Sequence, residues 1–141
     1  MNRLDQLRPL GLLLLRLALG VIFIHHGYPK LFGQTARHLD FFQQLGLMPQ
    51  LAYVAGVLEL FGGALLVAGF ATRITALLLA AEMAVVIWVV RLGEGILAVG
   101  EYEFPLALAA AAFLLATTGA GAVSLDALIY RDKALPKKPP R

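Results

Sequence analysis

The chain has 141 residues, 60% of them hydrophobic and 15% charged, with a mean hydropathy of +0.78. Soluble domains lie near about 45–50% apolar and about 25% charged, so this composition excludes an ordinary soluble domain; the apolar residues fall in blocks of membrane-spanning length. The absence of cysteine removes disulfides, thiol catalysis and thiolate metal sites, and the net charge of +3, concentrated in the tail, suits a lipid surface and not nucleic acid.

Residues 1–9 read as a polar N-terminal segment with Arg3 and Arg8 ahead of the first apolar run. A secretory signal starts in the same way, but Arg16 interrupts the run and no small-x-small cleavage site precedes polar sequence, so an uncleaved first helix is expected. That helix spans about 10–28, with Pro29 ending or kinking it. A mixed connector follows, within which HLDFFQQLGLMP reads as a short amphipathic helix on the surface. The second helix is expected over about 51–70 and the third over about 74–92, joined as an antiparallel hairpin by the turn at Ala71, Thr72 and Arg73. Gly93, Gly95 and Gly100 punctuate an acidic loop with Glu94, Glu101 and Glu103. The fourth helix is expected over about 104–119, with Pro105 in its first turn. Ser124 is a candidate cap for a short interfacial helix, and residues 129–141 form a basic, Pro-rich tail. No internal repeat or second domain stands out.

Four crossings place both termini on one side. That side carries Arg3, Arg8, Arg73, Arg131, Lys133, Lys137, Lys138 and Arg141, against Lys30, Arg37 and Arg91 on the other. The excess predicts cytoplasmic termini. The expected fold is therefore all-α, a polytopic four-helix membrane bundle.

The charges inside the apolar blocks carry most of the information. Arg16, Gly20, Phe23, Gly27 and Lys30 share one stripe of the first helix, His26 flanks it, and His25 points away. Arg16, Glu59 and Glu82 lie at membrane depth, where an ionisable group costs at least about 2.5–3.5 kcal/mol and turns toward a partner in the bundle. Arg16 is expected to meet Glu59, with Glu82 as second choice. Glu59 has Gly56 and Gly63 at helical spacing, which admits a close neighbour. These three residues form either a structural ion network or a proton or ligand path, and the structural reading is favoured. At the outer end, His26, Lys30 and Glu103 are expected to cluster, as a structural lid or as the site of a quinone headgroup or small anion. Tyr28, Trp88 and Tyr102 suit the outer aromatic belt. The spacing of the histidines offers no bis-His haem site and no metal site, and there is no Gly-rich phosphate motif or Ser/His/Asp triad.

RLALGVIFIHHGYPKLFG, ELFGGALLVAGFATRITALLLAAEMA and EYEFPLALAAAAFLLATTGAGAVSLDAL, in this order, resemble the helix signatures of DoxX-family membrane proteins. The resemblance covers about residues 10–128, and Ala120 stands where the family often has proline. It implies a four-helix protein of the bacterial inner membrane. It maps the family's recurring polar positions onto Arg16, His26, Lys30, Glu59, Arg73, Glu103 and Asp126, with Gly20, Gly27 and Gly63 as structural motif positions. Family members are linked to thiosulfate:quinone oxidoreduction and to oxidative-stress complexes.

The expectation is an accessory or scaffold component of a membrane-associated redox, oxidative-stress or sulfur-metabolism system, more readily a non-enzyme than an enzyme. The first alternative is a subunit of a quinone-linked oxidoreductase of the thiosulfate:quinone type, and the second a small-solute or proton carrier. No cofactor is evident; a quinone is the one left open, because it needs only a pocket and one or two polar groups. The expected partners are the lipid bilayer, redox or stress-response proteins and further copies of the chain.

Overall fold

A computed structural model describes residues 5–91 and 95–131. The expectations for residues 1–4, for Gly93 and Glu94, and for the tail from 132 onward lie outside the described residues. After a 3-10 turn at Asp5–Leu7 come α1 (Arg8–Leu31), α2 (Thr35–Gln44), α3 (Leu51–Ala68), α4 (Thr72–Val86), α5 (Val99–Thr118) and α6 (Leu125–Arg131). A π-helical segment, Ile87–Arg91, extends α4. Four helical stretches are long and apolar enough to cross a bilayer: Asp5–Leu31, Leu51–Ala68, Thr72–Val89 and Val99–Thr118. The architecture is the all-α, four-helix membrane bundle that the hydropathy implies.

Two boundaries differ from expectation. Pro29 does not end α1, which continues to Leu31; its missing N–H removes one hydrogen bond, to the carbonyl four residues earlier, and the helix closes within the same turn. The fourth crossing starts at Val99, five residues before the expected start, so Pro105 lies inside α5. Glu101, read as loop, stands in the first turn of that helix, where its charge complements the exposed backbone N–H groups.

Around the bundle the order is α1, α3, α4, α5. α1 packs closely on α3, and α4 on α5, while contacts between the two pairs are sparser. Glycine explains the first pair. A methyl group at Gly20 would lie 2.7 Å from the Gly63 carbonyl, one at Gly27 would lie 2.5 Å from the Leu60 nitrogen, and one at Gly56 would press on Lys30 and Leu31 at 2.9 Å. Thus Gly20, Gly27, Gly56 and Gly63 form a seam on which two antiparallel backbones nearly touch. The second pair meets through Ala76, Leu79, Ala80, Leu108, Ala112 and Leu115, and Phe23 and Leu66 join it to the first. Outside this core, Leu14, Val21, Phe61, Ile74 and Phe113 are exposed, the belt a bilayer would cover.

The α3–α4 turn is built on Gly69 in the left-handed region (φ +69°), whose N–H bonds the Leu65 carbonyl at 2.8 Å. Ala71 follows at φ +48°, a strained position for a residue with a Cβ.

Candidate functional site: a polar cavity between the helix pairs

Two polar clusters occupy opposite ends of the bundle. At the end that carries both termini, the Arg16 guanidinium donates to the carbonyls of Ala120 (2.7 Å) and Val123 (2.8 Å). Arg73 donates to the Thr117 carbonyl at 2.7 Å and the Ala116 carbonyl at 3.1 Å, which closes the C-terminus of α5. Asp126 accepts from the N–H groups of Ala71 and Thr72 (2.8 and 2.9 Å) and caps α4, which has no side-chain cap of its own. Ser124 accepts from Ala127 N–H at 3.1 Å, the capping role expected of it. This cluster ties α1, α4, α5 and α6 together and spends its charges on backbone groups.

The expected Arg16–Glu59 pair is therefore corrected. Arg16 lies beside Gly69, at the far end of α3 from Glu59. Glu59 instead stands opposite Gly27, eleven residues along α1, roughly 16 Å away along the helix axis. The reason is chemical: the connection between α5 and α6 offers the backbone carbonyls of Ala120 and Val123, and a guanidinium satisfies them as well as it satisfies a carboxylate.

At the opposite end, Lys30 forms an ion pair with Glu59, with side chains 15% and 5% exposed, so the pair is largely removed from water. Lys30 Nζ also donates to the His26 carbonyl at 3.3 Å. The seam produces this pair, since Lys30 lies three residues past Gly27 and Glu59 three past Gly56. The expected cluster of His26, Lys30 and Glu103 is corrected in one member. Glu103 is exposed and does not line the cavity described below, because the early start of α5 places it on an outer turn. Phe104 takes its place: its ring meets His26 at 5.8 Å between centroids, tilted by 46°.

Between the two helix pairs opens a cavity of about 720 Å³. Its polar wall consists of His26, Lys30, Glu59 and Glu82, with Gln34, Arg37 and His38 toward the mouth. Its apolar wall includes Phe23, Leu58, Met83, Val86, Phe104, Pro105 and Leu108. Phe41, Phe42 and Leu45 of the α2 region roof it. The volume and the mixture of apolar walls with few polar groups fit a small-molecule site. The Glu82 carboxyl belongs to it, and its buried Oε2 has no hydrogen-bond partner among the described residues. His25 points away, into a shallow outer groove with Val21, Ile24 and Tyr28. Among the described residues, no group of three or more His, Asp or Glu side chains is placed to hold a metal ion.

Sequence reasoning missed the roof and the Lys30–Glu59 pair. The matching offsets from glycine on α1 and α3 were the signal that could have revealed the pair.

The family model for DoxX matches residues 11–92. The chain is 36% identical, over 88% of its length and 90% of the relative's, to a protein of Bacillus subtilis named putative oxidoreductase CatD. It is 35% identical to the inner membrane protein YphA of Escherichia coli, over 84% and 90% of the two chains. An uncharacterized protein of Haemophilus influenzae is 31% identical over 93% of this chain and 99% of its own. No solved structure matches the chain significantly.

Proposed function

The chain belongs to the DoxX family of multi-pass membrane proteins, and from that premise we propose that it is the ligand-binding membrane subunit of a redox system, holding a quinone headgroup in the cavity beside Lys30 and Glu59. The observation that carries this reading is the cavity itself. A scaffold needs no cavity of about 720 Å³ with His26, Lys30, Glu59 and Glu82 on its wall. The names of two relatives, a putative oxidoreductase and an inner membrane protein, agree with a redox role in the bacterial inner membrane.

The residues present suit such a headgroup. An ammonium has three N–H donors; the Glu59 carboxylate and the His26 carbonyl engage two, which leaves one for a ligand oxygen. Glu59 fixes Lys30 in place, so little side-chain freedom is lost on binding. Phe104 packs against the His26 ring and orients it on the cavity wall. The apolar walls lower the polarity around these groups, which strengthens each hydrogen bond made there. A quinone supplies two-electron, two-proton exchange when bound.

The test is photolabelling in lipid nanodiscs with an azido-quinone bearing a long alkyl chain. Saturable labelling of Met83, Phe104 or the α2 roof, competed by unlabelled quinone, is the expected result. The double change Lys30→Met with Glu59→Met removes the charge pair without leaving a lone charge, and it should weaken labelling about tenfold, the size of one charge-assisted hydrogen bond. Non-saturable labelling confined to lipid-facing residues such as Val21 or Phe61 would return the protein to the scaffold reading.

A further inference from the structure

α2 is held differently from the four crossings. Its hydrogen bonds close on themselves: the His38 N–H and ring Nδ1 both bond the Gln34 carbonyl, and the N–H groups of Gly46 and Leu47 return to the carbonyls of Gln43 and Phe42. Residues 34–47 thus form one capped unit. Among the described residues, no side chain of α2 makes a hydrogen bond or ion pair with another helix. No residue of α2 is buried. The crossings are fixed by other means: α1 and α3 by the glycine seam and the Lys30–Glu59 pair, and the terminal end by Arg16, Arg73 and Asp126.

The two joints of the unit are loose. It meets α1 through Gly33, at φ +84° with nothing within 4 Å of where a side chain would begin, so glycine there serves the backbone alone. It meets α3 through Met48, which is exposed and belongs to no element. Between the joints, the side chains of His38, Phe41, Phe42, Leu45 and Leu47 border the cavity. Phe41 is nevertheless 44% exposed. A ten-residue helix depends on apolar contact for its stability, and a move of α2 onto the cavity would bury more of this apolar surface.

We infer that α2 is a lid: residues 34–47 swing as one rigid unit about Gly33 and Met48 and close onto the cavity when a lipophilic ligand fills it. Phe41, Phe42 and Leu45 then pack on the ligand, while the internal hydrogen bonds of α2 stay intact. The inference needs the cavity but not the identity of its ligand, so it stands apart from the quinone reading.

The experiment measures the distance between nitroxides at Asp40→Cys on α2 and Gly100→Cys on α5, both exposed, by pulsed electron spin resonance on the full chain in lipid nanodiscs. The reference pair is Phe61→Cys with Phe113→Cys, on the lipid-facing sides of α3 and α5. Two probes are added separately: n-decylbenzene, which fills the cavity without a polar group, and decylubiquinone. A probe held only under the closed lid, at about ten times its Kd, should cut the population at the longer α2–α5 distance about tenfold in favour of a shorter one. The reference distance should not change. Closure by decylubiquinone, with or without n-decylbenzene, upholds the lid and the quinone reading together. Closure by n-decylbenzene alone upholds the lid and removes the quinone reading. An α2–α5 distance that neither probe shortens overturns the lid, and the photolabelling above then decides the quinone site by itself. A reference distance that shifts along with the α2 pair also overturns it, because the whole bundle and not α2 would then be moving.

Discussion

At the scale of single residues, Arg16 and Lys30 are both largely withdrawn from solvent, and they find opposite kinds of partner. Arg16 takes backbone carbonyls of the α5–α6 connection, and Lys30 takes a carboxylate across a glycine seam. Sequence alone shows side chains but not which carbonyls a connection leaves free, so Glu59 was legible as a residue in need of a cation while the identity of that cation was not. The consequence is measurable. Removing one partner of a buried pair strands the other charge and costs about 3–5 kcal/mol. Lys30→Met and Glu59→Leu should each lower stability by that order in a detergent unfolding assay, and the double variant should lose much less than the sum of the two. Arg16→Met combined with Glu59→Leu should instead lose the full sum, since the two residues have no shared partner. The histidines separate in the same way: His26→Ala should weaken ligand binding, because His26 lines the cavity, and His25→Ala should leave it unchanged.

At the scale of elements, glycine placement decides the pairing of helices. Gly27 lies against the α3 backbone, whereas Gly11 on the same helix has nothing within 4 Å of where a side chain would begin. Gly27→Val should therefore force the helices apart and cost about 1–3 kcal/mol or more. Gly11→Ala should raise stability by up to about 1 kcal/mol through helix propensity alone. Equal effects in a thermal denaturation series would mean that α1 and α3 do not meet along this seam. Asp126→Ala should cost about 0.5–2 kcal/mol, because α4 then loses the acceptor for its first N–H groups. The four crossings were legible from hydropathy, and the short α2 from its amphipathic pattern. The true start of α5 was not, since Gly100, Glu101 and Glu103 read locally as loop, and only the helix terminus gives Glu101 a favourable place.

At the scale of the whole molecule, the composition required a membrane bundle, but it could not show that the bundle consists of two tight pairs with a cavity between them. That depends on close seams formed by residues far apart in sequence. The same arrangement turns orientation into a functional statement. Arg16 bonded to Ala120 and Val123, together with Gly121 packed beside Leu12, puts the N-terminal and C-terminal ends of the bundle on one side. The cavity and its α2 roof lie at the other. The excess of basic residues that the sequence assigns to the terminal side, eight against three, predicts that the termini are cytoplasmic. A ligand would then bind near the outer surface of the inner membrane, and protons exchanged there would not enter the cytoplasm directly. Single cysteines test this without background, because the chain has none. A membrane-impermeant maleimide applied to intact spheroplasts should label Gln34→Cys, exposed at the cavity end of the bundle, and should reach Lys138→Cys only after lysis. The reverse pattern would place the cavity on the cytoplasmic side. Its ligand would then exchange protons with the cytoplasm.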